Sequence, residues 1–472
     1  MVVRNVLADR YASAEMIEVW SAEAKVVLER QFWIAVMVAQ RDAGLELDEQ
    51  VIADHRAVVD QVDLDSIRER ERITRHDVKA RIEEFCALAG HEHVHKGLTS
   101  RDLTENVEQL QLVRSMDLIR QRVIAVLARL GRRAAEFDAL VVTGRTHNVP
   151  AQATTLGKRF ATVAEGLLLA LERLDDLRAR YPLRGIKGPV GTQLDQLELM
   201  GGADAAMSIE ASVARELGFD RVLDSVGQVY PRALDLDVVS AYVQIGAALS
   251  DLALLVRLMA GLDAVTEGFQ EGQVGSSAMP HKMNTRSTER ISGFMTILRG
   301  HLTMASGLAG DQWNEGDVSC SVVRRVVLPD ASFALDGALV TAMTVLDEFG
   351  AYPAVIDREI DRYLPFLATT KLLVAAVQRG AGREVTHEVI KEHAIAAAMS
   401  LRTDSGGDNS LFDALADDDR FPLDRAAIDE LMGSHIEFTG LAVEQVARVV
   451  GRIDRVVSTD PDAATFVPGA LL

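Results

Sequence analysis

The chain has 472 residues, of which 48% are hydrophobic and only 5% aromatic, so its core must be built mainly from aliphatic side chains, as in packed helices. Its formal net charge of −20 argues against a nucleic-acid-binding surface, which requires an excess of Lys and Arg. Two cysteines, Cys86 and Cys320, are too few for a disulfide framework. We expect neither a signal peptide nor a membrane span, and therefore a cytoplasmic protein of two or three domains.

Long segments that lack proline and are rich in Ala, Leu, Glu and Arg predict helices, because nothing interrupts their backbone hydrogen bonds. No alternating strand pattern competes in the N-terminal region. A first helix is predicted from Ser21 to Ala43. Five longer ones are predicted from Thr99 or Ser100 through Leu130, from Gln152 to about Arg180, from Ala233 to about Gly268, from Thr288 to about Leu308 and from Val327 to about Phe349.

These helices predict an all-α protein with three helical domains: residues 1–103, a central five-helix bundle over 104–362, and a small domain over 363–472. Glycines and a proline divide the last part into shorter helices. The long helices are apolar over more than one stripe, which suggests that the bundle also packs against other subunits.

Residues 272–286, Gly-Gln-Val-Gly-Ser-Ser-Ala-Met-Pro-His-Lys-Met-Asn-Thr-Arg, interrupt the helical pattern. Two glycines and a proline exclude a continued helix, because glycine costs about 1 kcal/mol and proline about 3 kcal/mol in a helix interior. The segment also holds hydroxyls, an imidazole, an ammonium and an amide, which is more polar chemistry than a linker needs. It is therefore the first candidate for a functional site.

Two other motifs give weaker signals. His91-Glu-His-Val-His95 fits the zinc pattern His-Glu-x-x-His, but it is bracketed by glycines and zinc needs a third protein ligand, so surface or hydrogen-bonded histidines are the preferred interpretation. Gly185 to Thr192 is rich in glycine but lacks the phosphate-loop spacing, and Pro189 removes one backbone donor. We interpret it as a structural turn.

Further polar clusters interrupt the apolar sequence. They supply the basic groups and hydroxyls that bind a substrate with several anionic groups. They are Arg75 to Asp77, His95 to Ser100, Gly144 to Asn148 between two predicted helices, Gln228 to Arg232, and Lys282 to Asn284.

Residues 275–284 closely resemble the signature loop of the fumarase/aspartase superfamily, in the form found in the adenylosuccinate lyase family. Four further short segments resemble motifs of this family and occur in the family's order along the whole chain: Arg10 to Ser13, Arg75 to Asp77, Gly97 to Asp102 and Gly144 to His147. The resemblance implies a homotetramer of three-domain subunits, with each active site lined by three subunits. It also implies small-molecule substrates, adenylosuccinate and SAICAR, from which fumarate is eliminated without a metal or an organic cofactor.

The resemblance assigns Ser276 as the base that removes a proton from carbon, and His147 as the general acid that protonates the departing nitrogen. Lys282 and Asn284 would stabilise the aci-carboxylate dianion, while His76 and Glu289 join the catalytic histidine network. It assigns substrate contacts to Arg10, Tyr11, Arg75, Asp77, His95, Thr99, Ser100, Thr146, Gln228, Arg232, Asn284, Ser321 and Arg325.

Two positions depart from the family pattern. Thr285 stands where relatives commonly have proline, and Gly316 stands where many carry a substrate-holding arginine, for which Arg324 is a possible replacement. The alternatives are another activity of the superfamily (argininosuccinate lyase or carboxymuconate cycloisomerase), a catalytically silent helical scaffold, and a zinc hydrolase.

Overall fold

The computed structural model describes residues 5–268, 279, 281–403 and 408–469. Within these ranges the chain forms twenty α-helices and a short 3-10 helix at His435–Phe438, which confirms the predicted all-α class. The α-helices are α1 (Val6–Arg10), α2 (Ala14–Val19), α3 (Ala22–Asp42), α4 (Glu49–Ala57), α5 (Leu64–Thr74), α6 (Asp77–Ala89), α7 (Ser100–Glu136), α8 (Leu156–Arg180), α9 (Leu194–Met200), α10 (Ala203–Glu216), α11 (Ala233–Ala260), α12 (Arg286–Leu308), α13 (Cys320–Glu348), α14 (Pro353–Leu367), α15 (Thr369–Gln378), α16 (Arg383–Thr403), α17 (Leu411–Ala416), α18 (Arg425–Met432), α19 (Ala442–Thr459) and α20 (Pro461–Ala464).

Two short antiparallel strand pairs interrupt the helices. β1 (Val141–Thr146) pairs with β2 (Val149–Thr155), and β3 (Val265–Thr266) pairs with β4 (Gly350–Ala351). The β1–β2 hairpin corrects the sequence prediction, because the helix expected from Gln152 begins only at Leu156. Its β-branched Val and Thr residues favour strand, and Pro150 is tolerated at a strand edge but not inside a helix.

α7, α8, α11, α12 and α13 form the predicted five-helix bundle. Each contributes a fully buried leucine to one continuous core: Leu130, Leu174, Leu252, Leu298 and Leu335. Burying such a side chain stabilises the fold by roughly 1.5–3 kcal/mol. The bundle is therefore held by aliphatic packing, as the composition indicates.

Two further helices of the bundle differ from their predicted bounds by seven or eight residues. α11 ends at Ala260 rather than near Gly268, since residues 261–268 form a turn and β3. α13 begins at Cys320 rather than Val327 and carries Pro329 inside it. Among the described residues, α11 and α13 are the two helices long and apolar enough to cross a membrane by length and composition alone. Buried core helices also pass that test, and the apolar window of α13 is 83% buried.

The terminal helices divide between two cores. Phe32 and Trp33 of α3 join the bundle core, as do Val446 and Ile453 of α19, which lies on α7 and α8. A separate core runs from Ala368 to Met432. The second core thus covers only part of the predicted domain 363–472, and the two boundaries between the three domains remain predictions.

The bundle has two ends. At the first, Glu105 of α7 forms ion pairs with Arg232, which precedes α11, and with Arg324 of α13. We call this the network end. At the second, the ring of Phe137, after α7, packs edge-on against Phe349, after α13, at 5.8 Å. We call this the hairpin end, since β1 and β2 follow Phe137. The 28 residues of α11 separate the ends by about 42 Å.

Candidate active site

His147 lies between two long helices, α7 and α8, as predicted, and the connection between them is the β1–β2 hairpin, with His147 at its tip. Thr146 pairs with Val149, so His147 and Asn148 form a two-residue turn with φ of 52° and 59°. Two positive φ angles define a type I′ turn, which fits the twist of the flanking strands. Asn and His enter this region more readily than most residues. The imidazole is consequently presented to solvent.

A bulge in β1 precedes this turn. The register shifts between Thr143 and Arg145, and a Cβ on the intervening Gly144 would lie 2.4 Å from the carbonyl oxygen of Gln152. Only glycine fits so close an approach. Gly144 therefore fixes how the strand reaches Thr146 and His147.

The described part of the signature loop leads into α12. Lys282 is exposed, Asn284 is half-buried, and Glu289 is exposed in the first helical turn. Ser276, the predicted base, lies outside the described residues, as do the rest of 269–278 and residue 280. The hairpin end therefore carries the predicted acid His147 together with the predicted dianion-stabilising groups.

Glu267 fixes the start of α12, and sequence reasoning missed it. Its carboxylate accepts hydrogen bonds from the backbone N–H of Ser287 at 2.7 Å, from that of Thr288 at 2.9 Å, and from the Thr288 hydroxyl at 2.9 Å. A carboxylate at a helix N-terminus satisfies free N–H groups and complements the helix dipole. An isolated acid nineteen residues before the first residue of the helix gives no spacing signal.

At the network end, Arg75 to Asp77 join α5 to α6. Arg75 has a φ of 53° and, like His76, is exposed. The Nδ1 atom of His76 caps α6 by accepting from the N–H of Lys79 at 3.2 Å, and its Nε2 atom lies 3.4 Å from the Ser100 hydroxyl. Asp77, the first residue of α6, is half-buried. The contact between His76 and Ser100 therefore joins two predicted site segments within one chain.

His95 lies near the start of α7. Its Nδ1 atom accepts a hydrogen bond from the Trp33 indole at 3.0 Å. Burial lowers the pKa of His95 to about 4, with a smaller opposing effect from Asp102 and a further lowering by His76. The imidazole is therefore neutral near pH 7 and carries its proton on Nε2. Thr99, the N-cap of α7, is half-buried nearby.

The His91 to His95 motif is not helical. His91 is bound to Asp54 at 2.7 Å, and His93 lies 2.8 Å from the Lys96 ammonium. The i,i+4 geometry of a helical zinc motif is thus absent from it. Over the described ranges, no group of three or more His, Cys, Asp or Glu side chains could hold a metal ion.

The glycine-rich turn of residues 185–192 is occupied by the chain's own carboxylate. Asp102 accepts from the Arg184 guanidinium at 2.6 Å and from the N–H groups of Lys187 at 2.9 Å and Gly188 at 3.0 Å. Its other oxygen accepts from the N–H of Thr99 at 2.8 Å. Asp102 therefore takes the place of an external anion and fixes Thr99, which confirms the structural interpretation of this turn.

Two arginines at the network end are buried. Arg232 is 4% exposed and binds Glu105 through both terminal nitrogens, at 2.8 and 2.9 Å. Arg324 is 2% exposed, binds Asp235 at 2.7 Å and contacts Glu108. Arg232 is thus not presented to solvent in this chain. Arg324 cannot replace a missing substrate contact while it holds these carboxylates.

The backbone at Gly316 passes close to Gln228. The N–H of Gln228 donates to the carbonyl of Glu315 at 2.5 Å, and a Cβ on Gly316 would lie 2.6 Å from the Gln228 Cβ. An arginine at position 316 would require Gln228 to move. Nearby, the Ser321 hydroxyl donates to a backbone carbonyl at 2.6 Å, and Arg325 is exposed.

Arg10 and Tyr11 lie against the middle of the bundle. The Tyr11 ring packs edge-on against Phe294 at 5.2 Å, and the Arg290 guanidinium lies 5.5 Å from its centre. Arg10 is exposed at the end of α1. Apart from Arg10 and Tyr11, the predicted site residues that the structure describes therefore form two groups in a single chain, one at each end of the bundle.

Comparison with proteins of known structure identifies the fold. The 3-carboxy-cis,cis-muconate lactonizing enzyme from Pseudomonas putida superposes with a TM-score of 0.81, covering 96% of this chain and all of that one at 20% identity. A fumarate lyase from Mesorhizobium sp. BNC1 superposes with a TM-score of 0.79 at the same identity, covering 96% and 99%. The family described as Lyase matches residues 8–300. The protein is accordingly a lyase.

A second family, described as Adenylosuccinate lyase C-terminus, matches residues 365–449. The adenylosuccinate lyase of Schistosoma mansoni is 33% identical over 94% of this chain and 93% of its own length, and that of Saccharomyces cerevisiae is 34% identical with the same coverage. The adenylosuccinate lyase of Bacillus subtilis is 28% identical over 83% of this chain and 89% of its own. The chain belongs to the adenylosuccinate lyase family.

Proposed function

We propose that the protein is an adenylosuccinate lyase of purine nucleotide biosynthesis. It eliminates fumarate from adenylosuccinate, which gives AMP, and from SAICAR, which gives AICAR. The observation that carries this proposal is the similarity to adenylosuccinate lyases, at 33–34% identity over 94% of the chain. The alternative of a carboxymuconate cycloisomerase rests on a likeness at 20% identity, which supports the fold alone.

The proposed elimination breaks one C–H and one C–N bond. Ser276 removes the proton beside the succinyl carboxylate, and the electron pair left on carbon is delocalised into that carboxylate as a dianion. Lys282 and Asn284 stabilise the dianion as its charge develops. The electron pair then forms the C=C bond of fumarate while the C–N bond breaks, and His147 protonates the nitrogen. The exposed position of His147 supports this role, since a proton donor must reach its substrate.

The remaining residues are proposed to bind and orient the substrate. Thr99 and Ser100 lie at the start of the 37-residue helix α7, where free N–H groups and the helix dipole favour a carboxylate. His76 and Glu289 support the catalytic histidine. The other assigned contacts are Arg10, Tyr11, Arg75, Asp77, His95, Thr146, Gln228, Ser321 and Arg325. Arg232 acts through the buried network instead, by holding Glu105.

We also propose that the enzyme is a cytoplasmic homotetramer in which several chains build each site. Rigid helices hold His76 and His147 at opposite ends of one bundle, so one chain cannot bring both to a single substrate. Leu254 and Leu258 of α11 are 53% and 50% exposed. Such an apolar face is best buried against another copy. Antiparallel packing of bundles would place the two kinds of end side by side.

The proposal is tested by the absorbance of fumarate released from adenylosuccinate, with the natural protein, Ser276→Ala and His147→Ala. Loss of a base or an acid lowers turnover by roughly 10²–10⁴-fold, and both variants should remain folded. Near-normal rates in either variant would remove that residue from its role. Turnover of argininosuccinate or carboxymuconate instead of adenylosuccinate would contradict the assigned activity.

A further inference from the structure

We propose that Glu359, on α14, is a positioning residue for the general acid His147. It would act by holding the guanidinium of Arg145, and through Arg145 the hairpin turn that carries the imidazole. The inference rests on the proposed function, because it gives Glu359 a part in the reaction only through His147.

One guanidinium connects the turn to α14. Arg145 lies in β1, two residues before His147, and its Nη2 atom contacts the Glu359 carboxylate. Its Nη1 atom donates to the carbonyl oxygen of Asn148 at 3.2 Å. Asn148 is the second residue of the turn and follows His147 directly in the chain. The Arg145 side chain therefore holds the backbone next to His147.

Among the residues that the structure describes, no side chain other than that of Arg145 forms a hydrogen bond with residues 146–149. Residues 146–149 are all exposed. Pro150 stands opposite Arg145 in the hairpin and has no N–H to donate to the ladder. The bulge at Gly144 interrupts the register one residue before Arg145. The tip therefore depends on side-chain contacts with the rest of the protein.

α14 provides a fixed support for this contact. Ile360, the neighbour of Glu359, is 1% exposed and packs in a small apolar cluster with Val141 of β1 and Leu367 of α14. The helix is thus attached to the base of the hairpin by apolar packing. Glu359 extends that attachment to the tip.

A second arginine makes the carboxylate necessary. Arg159 of α8 donates to the carbonyl of Thr143 at 2.8 Å. Burial lowers the pKa of Arg159. The charge of the Glu359 carboxylate raises this pKa, and the charge of the Arg145 guanidinium lowers it. Without Glu359, two nearby guanidinium groups would repel each other. A cavity of about 680 Å³, lined by Arg145, Arg159 and Glu359 among others, gives Arg145 room to move away.

The expected consequence is a loss of turnover rather than of substrate binding. A proton donor must lie within hydrogen-bond reach of the departing nitrogen, and a displacement of about 1 Å can cost on the order of 10²-fold in rate. Glu359→Gln should therefore lower kcat by about 10- to 100-fold and change KM by less than about threefold. Asp357→Asn, which removes an exposed carboxylate from the same helix, is the matched control and should leave both constants unchanged.

The test measures both substitutions in the natural protein and in the His147→Ala variant. Because Glu359 acts through the imidazole, Glu359→Gln should cause no further loss of the residual rate when His147 is absent. An equal fold-loss in the two backgrounds would overturn the proposal, since a general structural role would act in both. Thermal unfolding of each variant identifies any loss that comes from misfolding.

Hydrogen exchange of the amides in residues 141–155 tests the Glu359 contact without turnover. Glu359→Gln should accelerate exchange near the turn, and Asp357→Asn should not. Unchanged exchange in Glu359→Gln would overturn the proposal even if its activity fell. If the natural protein released no fumarate from adenylosuccinate, the proposed function would fail, and the exchange result would still decide whether Glu359 holds the hairpin.

Discussion

At the network end of the bundle, Asp102, Glu105 and Arg184 are 0% exposed and bound to partners within the chain, whereas at the hairpin end His147 and Lys282 are exposed. Buried charges require partners, because removal from water is costly. Exposed polar groups on a turn or beside a helix start have no such requirement. Polar side chains that interrupt apolar sequence therefore divide into those that hold the scaffold and those available to a substrate.

The distance between the two ends limits what one chain can do. Both ends contribute residues to the proposed site, but about 42 Å of rigid helix separates them. The proposed chemistry therefore needs the network end of one copy beside the hairpin end of another. Three predictions test this division of roles.

The largest effect is expected from mixing two inactive variants. His76→Ala lacks a network-end residue and His147→Ala lacks a hairpin-end residue, and each alone should be nearly inactive. In randomly mixed tetramers, a site that draws these residues from different copies is intact in about one case in four. Co-expression should therefore restore about a quarter of the natural rate of fumarate release.

Thr146→Ala mixed with His147→Ala is the matched control. Both residues lie on the same hairpin of one chain, so no mixed site can be complete for both, and the rate should not exceed the mean of the two variants. An absence of recovery in the His76 and His147 mixture would show that the two ends do not serve one shared site.

The next effect is a loss of stability at the network end. Arg324→Ala would leave the buried carboxylate of Asp235 without its 2.7 Å partner and remove the contact to Glu108. Breaking a buried ion pair in this way costs about 3–5 kcal/mol. Urea unfolding should show this loss. Arg383→Ala, which removes an exposed ion pair with Glu384, should change the unfolding free energy by less than about 1 kcal/mol. Equal small losses would mean that the network does not hold the scaffold.

The sequence predicts the long helices well, because a helix repeats its apolar positions every three or four residues over many turns. Thr99 before an acidic first turn correctly places the start of α7, and α12 begins at Arg286, two residues before its predicted start. The β1–β2 hairpin is missed because each strand is short and Pro150 suggests only an interruption. The fold class is therefore predictable, while local changes of secondary structure beside the site are not.

The supporting residues are beyond reach of the sequence for a different reason. Glu359 contacts an arginine 214 residues earlier in the chain, and Arg324 contacts a carboxylate 89 residues away. No spacing rule covers such pairs, because only the packed bundle brings them together. Burial likewise distinguishes Arg232 from Arg325, two arginines that the resemblance assigned to the same substrate.

The smallest effect concerns acid sensitivity at the network end. Nδ1 of His95 accepts the Trp33 indole N–H, so protonation would set two donors against each other. Burial lowers the pKa of His95 to about 4, whereas a histidine in the unfolded chain has a pKa of about 6.5. Between these values the unfolded chain binds more protons, so stability falls as pH drops, by up to about 1.4 kcal/mol per pH unit from this group. Above that window His95 is neutral in both states and contributes no pH dependence.

Urea unfolding at pH 7.5, 6 and 5 would measure this slope. The Gln side chain of His95→Gln can still accept from Trp33 but does not titrate, so this variant should lose less stability between pH 7.5 and 5 than the natural protein. Carboxylates elsewhere titrate equally in both proteins, and the difference between the two curves isolates the imidazole. Parallel curves would show that His95 is protonated as easily in the folded protein as in the unfolded chain, and the network end would then be as open to water as the hairpin end.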